Sequence, residues 1–180
     1  MRKPDVSRLF LLRVRSRLCG ISAVVALSAA LAITIAVPPR PWLVWNASAS
    51  LPIGLYRVGG GDAIETGDTV IAWTRTGARA LAAQRRYHPA NVPLVKTVAG
   101  RAGDTICAHG PEIFVDGRPA AARLTSDAAG RALPWWHGCV TLGRGAVFLM
   151  AQRPGSFDGR YFGPTAAANI VGEAHPLWTR

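Results

Sequence analysis

The chain has 180 residues, 49% of them hydrophobic and 17% charged, with a formal net charge of +11. That length is about one domain's worth, and the apolar share is too high for a purely soluble protein. The excess charge outside the N-terminus falls as single arginines with no basic block interleaved with aromatics, which argues against a nucleic-acid partner and leaves anionic lipid headgroups as a surface for a basic domain to lean on.

The chain opens on Arg2, Lys3, Arg8, Arg13, Arg15 and Arg17 against the single Asp5, then runs from Leu18 to Val37 through twenty residues without a charge. At about 1.5 Å per residue such a run spans roughly 30 Å as a helix, the thickness of a hydrocarbon core. It predicts one transmembrane helix over 18–37 behind a basic cytoplasmic tail over 1–17. The tail carries +5 and the remainder +6, so the positive-inside rule places the N-terminus in the cytoplasm and 38–180 outside, as one exported, periplasmic domain held at the inner membrane. A cleaved signal peptide begins in the same way. This run, however, exceeds the usual length and is followed by Pro38-Pro39-Arg40-Pro41-Trp42 rather than a small-X-small site, so it reads as an uncleaved anchor. The prolines stop the helix, and Trp42 and Trp45 suit the outer membrane interface.

Residues 46–58, NASASLPIGLYRV, hold two serines two positions apart, followed by proline, glycine and an aromatic. Such a cluster also serves any chain leaving a helix for a strand, and Asn46-Ala47-Ser48 fits a glycosylation acceptor. Beyond it, short β-branched or aromatic runs at 53–58, 68–73, 93–100, 104–108, 112–117, 145–151 and 168–174 predict a mainly β domain. One helix is expected at 77–86, and 118–138 is expected to be an irregular excursion. Cys19 lies in the apolar run, leaving Cys107 and Cys139 as an even pair in an oxidising compartment, which predicts a disulfide. His109 and His137 lie two positions from them, but that spacing is not a familiar zinc pattern; no metal or cofactor is expected.

A nucleophilic serine needs a base. Histidines 88, 109, 137 and 175 form no recognisable triad motif, whereas lysine is rare: only Lys3 and Lys96 occur among 21 basic residues. Strand alternation puts Lys96 on the face of Leu94 and Val98. Burial there would lower its pKa toward use as a base; an outward-pointing Lys96 beside partly exposed neighbours fits the same pattern.

Four segments follow one another along the chain: NASASLPIGLY at 46–56, TGDTV at 66–70, LVKTVAGRAGD at 94–104 and GSFDGRYFGP at 155–164. In these boxes and their order the chain resembles the serine/lysine (type I) signal peptidases, and most closely the TraF-type conjugative transfer peptidases. The resemblance implies a signal-peptidase-like β fold in which Ser50 is the nucleophile and Lys96 the general base. Ser48 would then help stabilise the oxyanion, with the Ser50 N–H as second donor; Ser156 would orient the lysine amine, and Asp158 and Arg160 would form a supporting ion pair. Housekeeping signal peptidases differ in having one more residue between serine and proline, a Gly-Asp-Asn-Arg box where this chain has Ala151-Gln152-Arg153-Pro154, and arginine where it has Thr97.

The implied function is maturation of exported pre-proteins. The substrate segment would pair with a strand edge, present small residues to shallow pockets and acylate Ser50, near the membrane surface because thirteen positions separate Val37 from Ser50. The expected partners are a pro-pilin or other pre-protein, the lipid bilayer and the conjugation or type IV secretion machinery, with water or the pilin's own amine (giving a cyclic pilin) as acyl acceptor. The alternatives are a general type I signal peptidase and a non-enzymatic membrane-anchored assembly factor.

Overall fold

The computed structural model describes residues 6–36, 41–61 and 64–180. Helix α1 (Val6–Ala36) contains the apolar segment Arg17–Ala36, whose mean hydropathy of 2.3 makes it long and apolar enough to cross a membrane. It begins well before the apolar run because the leucines and arginines of LFLLRVRSRL are good helix formers, so most of the expected tail is helical. The expectations for Arg2, Lys3, Asp5, Pro38, Pro39 and Arg40 lie outside the described residues.

Residues Pro41–Arg180 form a second unit. Its strands are β1 (Leu43–Asn46), β2 (Gly54–Val58), β3 (Thr69–Ala72), β4 (Leu94–Gly100), β5 (Thr105–His109), β6 (Glu112–Val115), β7 (Arg118–Ala122), β8 (Gly138–Thr141), β9 (Ala146–Met150), β10 (Thr165–Ala166) and β11 (Ile170–Thr179). They make a seven-stranded sheet in the order β1-β2-β11-β3-β4-β9-β10 and a four-stranded sheet in the order β7-β6-β5-β8. The chain is mainly β, as its short β-branched runs predict. The expected helix is α2 (Thr76–Gln84), and a second short one, α3 (Gly159–Phe162), lies inside the last serine box. β11 joins β2 to β3, pairing with β3 through Ile170–Glu173 and with β2 from Ala174 on, and it accommodates Pro176 beside a register shift.

The central strands are covered on both faces. Ile71 and Val95 pack with Val44, Tyr56 and Ala174 on one side; Val70 and Val98 pack with Ala72, Val147 and Leu149 on the other. A third cluster, Ile106, Ala108, Ile113, Leu142 and Phe148, joins the smaller sheet to β9.

Cys107 and Cys139 are register partners on β5 and β8 and form a disulfide with Cα atoms 4.0 Å apart. His109 lies beside them, but the sulfurs are spent on each other and offer no thiolate to a metal. The region expected to be irregular is only partly so. β7 extends the β6 edge, and within 125–133 a small hairpin forms through the Ser126 to Ala132 bridge and the bond from Leu133 N–H to the Thr125 carbonyl.

Candidate active site

Asn46, buried at the end of β1, builds the loop that carries the two serines. Its amide nitrogen donates to the carbonyls of Ser48 (3.0 Å), Leu51 (3.2 Å) and Pro52 (3.0 Å), and its side-chain oxygen accepts from the Ser48 N–H at 3.1 Å. The Tyr56 hydroxyl donates to the Pro52 carbonyl at 2.7 Å. Gly54 closes the loop where only hydrogen fits, since a Cβ there would lie 2.0 Å from the Trp178 carbonyl. With its amide fully engaged and 5% exposed, Asn46 is a scaffold and not a glycosylation acceptor.

Lys96 pairs with Val70 in the β3–β4 register and shares its face with Val70 and Val98. The outward-pointing arrangement does not hold: Lys96 is 2% exposed. Burial pushes its pKa down from 10.5 to about 8, opposed by the Asp158 carboxylate and assisted by the Arg160 guanidinium.

Three serines connect this amine to the loop. Lys96 Nζ donates to Ser156 Oγ at 2.5 Å, Ser156 Oγ to Ser50 Oγ at 3.1 Å, and Ser48 Oγ to Ser50 Oγ at 2.8 Å. Hydroxyl protons rotate freely, so the same chain can pass a proton from Ser50 toward Lys96. Among the described residues Lys96 makes no direct hydrogen bond to Ser50; Ser156 stands between them. The Ser50 N–H donates to Ser48 Oγ at 3.2 Å and is engaged rather than free.

Asp158 and Arg160 hold Ser156 in place. Arg160 Nε and Nη2 reach the two Asp158 oxygens at 2.8 and 2.7 Å, and both residues are at most 1% exposed. Arg160 Nη2 also donates to the Arg153 carbonyl at 2.8 Å, and Asp158 accepts the Ala151 N–H at 3.0 Å. A buried pair with its remaining lone pairs and protons satisfied is a structural brace, unlike a surface bridge. Gly159 permits the turn, because a Cβ would meet the Leu149 carbonyl at 2.7 Å.

A cleft of about 480 Å³ is lined by Ser48, Ser50, Lys96 and Ser156 together with Tyr87, Leu124, Asp127, Leu133 and Phe157. His88 also lines it, but its ring bonds the Val92 carbonyl at 2.9 Å and burial lowers its pKa, so it is a neutral wall residue. Sequence reasoning brought together the serines, Lys96 and the Asp158–Arg160 pair. It missed the scaffold role of Asn46, whose place in the serine box was the available signal, and it missed Tyr87, Asp127 and the leucines, which only pairing across the fold brings to the cleft.

A family model described as "Signal peptidase, peptidase S26" matches residues 15–178. The chain is 35% identical over 144 residues to the "Probable conjugal transfer protein TraF" of Sinorhizobium fredii, covering 74% of this chain and 76% of that protein. It is 30% identical over 148 residues to the "Conjugal transfer protein TraF" of Agrobacterium fabrum, covering 74% and 81%. A crystal structure of a signal peptidase I from Enterococcus faecalis aligns over 62% of this chain and 97% of that one, at 18% identity and a TM-score of 0.37, a likeness too loose to position any residue.

Proposed function

Since the chain belongs to the signal peptidase family, peptidase S26, and is therefore a peptidase, we propose that it is a membrane-anchored serine endopeptidase in which Ser50 and Lys96 mature exported pre-proteins, chiefly the pilin precursor of a conjugal transfer system. The observation that carries this reading is the hydrogen-bonded line from the buried Lys96 amine through Ser156 to Ser50.

The chemistry follows from that line. Lys96, neutral above about pH 8, takes the Ser50 proton with Ser156 between them, and Ser50 Oγ attacks the scissile carbonyl. The oxyanion is held by the Ser48 hydroxyl and the Ser50 N–H, so substrate entry exchanges their mutual bond for bonds to the substrate oxygen. Protonated Lys96 then gives its proton to the departing amine, and water or another amine resolves the acyl-enzyme. The disulfide supports a catalytic domain on the oxidising, exported side of the membrane, and exposed Trp42, Trp45 and Trp178 suit contact with lipid headgroups.

Ser50→Ala and Lys96→Ala each abolish pilin-precursor processing by the full-length protein in lipid vesicles while folding is retained. Lys96→Arg fails too, because a guanidinium stays protonated. Ser48→Ala is milder, losing on the order of 10² to 10³ in rate. Processing by either lysine variant overturns the dyad; preference for an ordinary secretory precursor over the pilin moves the reading to general signal-peptide removal.

A further inference from the structure

Part of the cleft lining, joined to the Lys96–Ser156 side through Phe157, is a built wall that the acylation chemistry leaves unused. Asp127 closes the 125–133 hairpin by accepting the N–H groups of Ala129 (2.9 Å) and Arg131 (2.8 Å). Its other oxygen accepts from the Tyr87 hydroxyl (2.5 Å) and Arg131 Nε (2.7 Å). The Tyr87 bond foremost, with the arginine and the turn amides, holds this carboxylate well below the usual carboxylate range. Two further bonds, Arg85 to the Ala132 carbonyl (2.8 Å) and Arg131 to the Arg85 carbonyl (3.2 Å), fasten the hairpin to the end of α2.

Every acceptor position of Asp127 is thus occupied within the hairpin and its clamp, so the wall meets a ligand through its leucines. Leu124 is 45% exposed, and neither Leu124 nor Leu133 belongs to any of the three core clusters. Phe157, which immediately follows Ser156, continues the apolar surface up to the proton-transfer line and stacks on Tyr161.

Chemistry decides which part of a substrate this surface meets. Lys96 must protonate the departing amine and, in the second half of the reaction, deprotonate the incoming acceptor, so both occupy the Lys96–Ser156 side of Ser50. We propose that the Leu124–Leu133–Phe157 wall is the binding site for the leaving and acceptor segment, selecting an apolar side chain on the residue whose amine is released from, or attacks, the acyl group. This rests on the peptidase reading above. In the acceptor direction the amine nitrogen forms a bond to the acyl carbon, the ester bond to Ser50 Oγ breaks, and the proton lost by the amine returns to Ser50 through Lys96 and Ser156.

Acceptor competition on the full-length protein tests it. During cleavage of a peptide substrate, leucinamide or glycinamide is added and amine-captured product is measured against hydrolysed product. A pocket contact of this size is worth roughly 10- to 100-fold, so leucinamide captures about tenfold or more better than glycinamide. Leu133→Ala and Leu124→Ser bring the two amides together, and Asp127→Asn, which loosens the clamp, lowers the preference part-way. The ratio is internal to one preparation, so partial loss of folded protein cancels. Equal capture by the wild type, no capture of either amide, or a preference that survives both leucine variants overturns the wall assignment. Those outcomes leave the peptidase reading standing so long as Ser50→Ala is inert, whereas turnover by Ser50→Ala removes that reading itself.

Discussion

Lys96 carries its amine where an ammonium is poorly hydrated, and that one placement has two measurable effects. For catalysis, the proposed mechanism needs the neutral form as base, so kcat/KM is expected to rise with pH and level off above about 8. For stability, between that folded value and the ordinary 10.5 the unfolded chain holds a proton that the folded one releases. Stability therefore falls as pH drops through that window, and the loss is complete below it. Lys96→Met is expected to raise stability at pH 7, and with it Tm, by at most on the order of 3 kcal/mol of unfolding free energy because Ser156 loses its partner, with the gain vanishing above pH 10.5; thermal melts across pH 7–11 check it. A variant that is inactive yet more stable is the signature of a residue retained for chemistry.

At the scale of elements, the Ser156 loop and the β5–β8 pair are held by different means. The loop between β9 and α3 depends on the Asp158–Arg160 brace, which satisfies backbone groups from Ala151 to Arg153 without any regular structure there. The β5–β8 pair depends on the disulfide, which closes a separation of 32 residues and stabilises by about 4 kcal/mol in the chain-entropy view. Cys107 and Cys139 lie on the smaller sheet, on the face opposite Ile106 and Ala108, which enter the core. The double change to serine is thus expected to lower the denaturation midpoint strongly while processing at low temperature persists; urea melts and low-temperature assays check both.

For the whole molecule, charge asymmetry about the apolar segment governs orientation. An alkaline phosphatase fusion after residue 60 should be active and one after residue 15 inactive, as read by enzyme activity in intact cells. The reverse pattern would put Ser50 on the wrong side of the membrane for exported substrates.

The sequence by itself determined the apolar helix, the mainly β character and the disulfide pair, because each has a local signature: an uncharged run, β-branched segments or an even cysteine count. The residues that meet at the site were legible only through the resemblance of four boxes to the serine/lysine signal peptidases. The sequence did not show β7, whose Arg-Pro-Ala-Ala-Ala has little strand propensity and is made a strand by pairing along β6. Nor did it show β8, identified only by its register with β5. Alternation could not tell whether Lys96 was buried, because β4 is covered on both faces and either side of such a strand is interior. Only the tertiary structure decided that Ser156 stands between Lys96 and Ser50, and that Tyr87 and Asp127, 40 residues apart, clamp the hairpin that lines the cleft, since those contacts depend on long-range packing that no local pattern records.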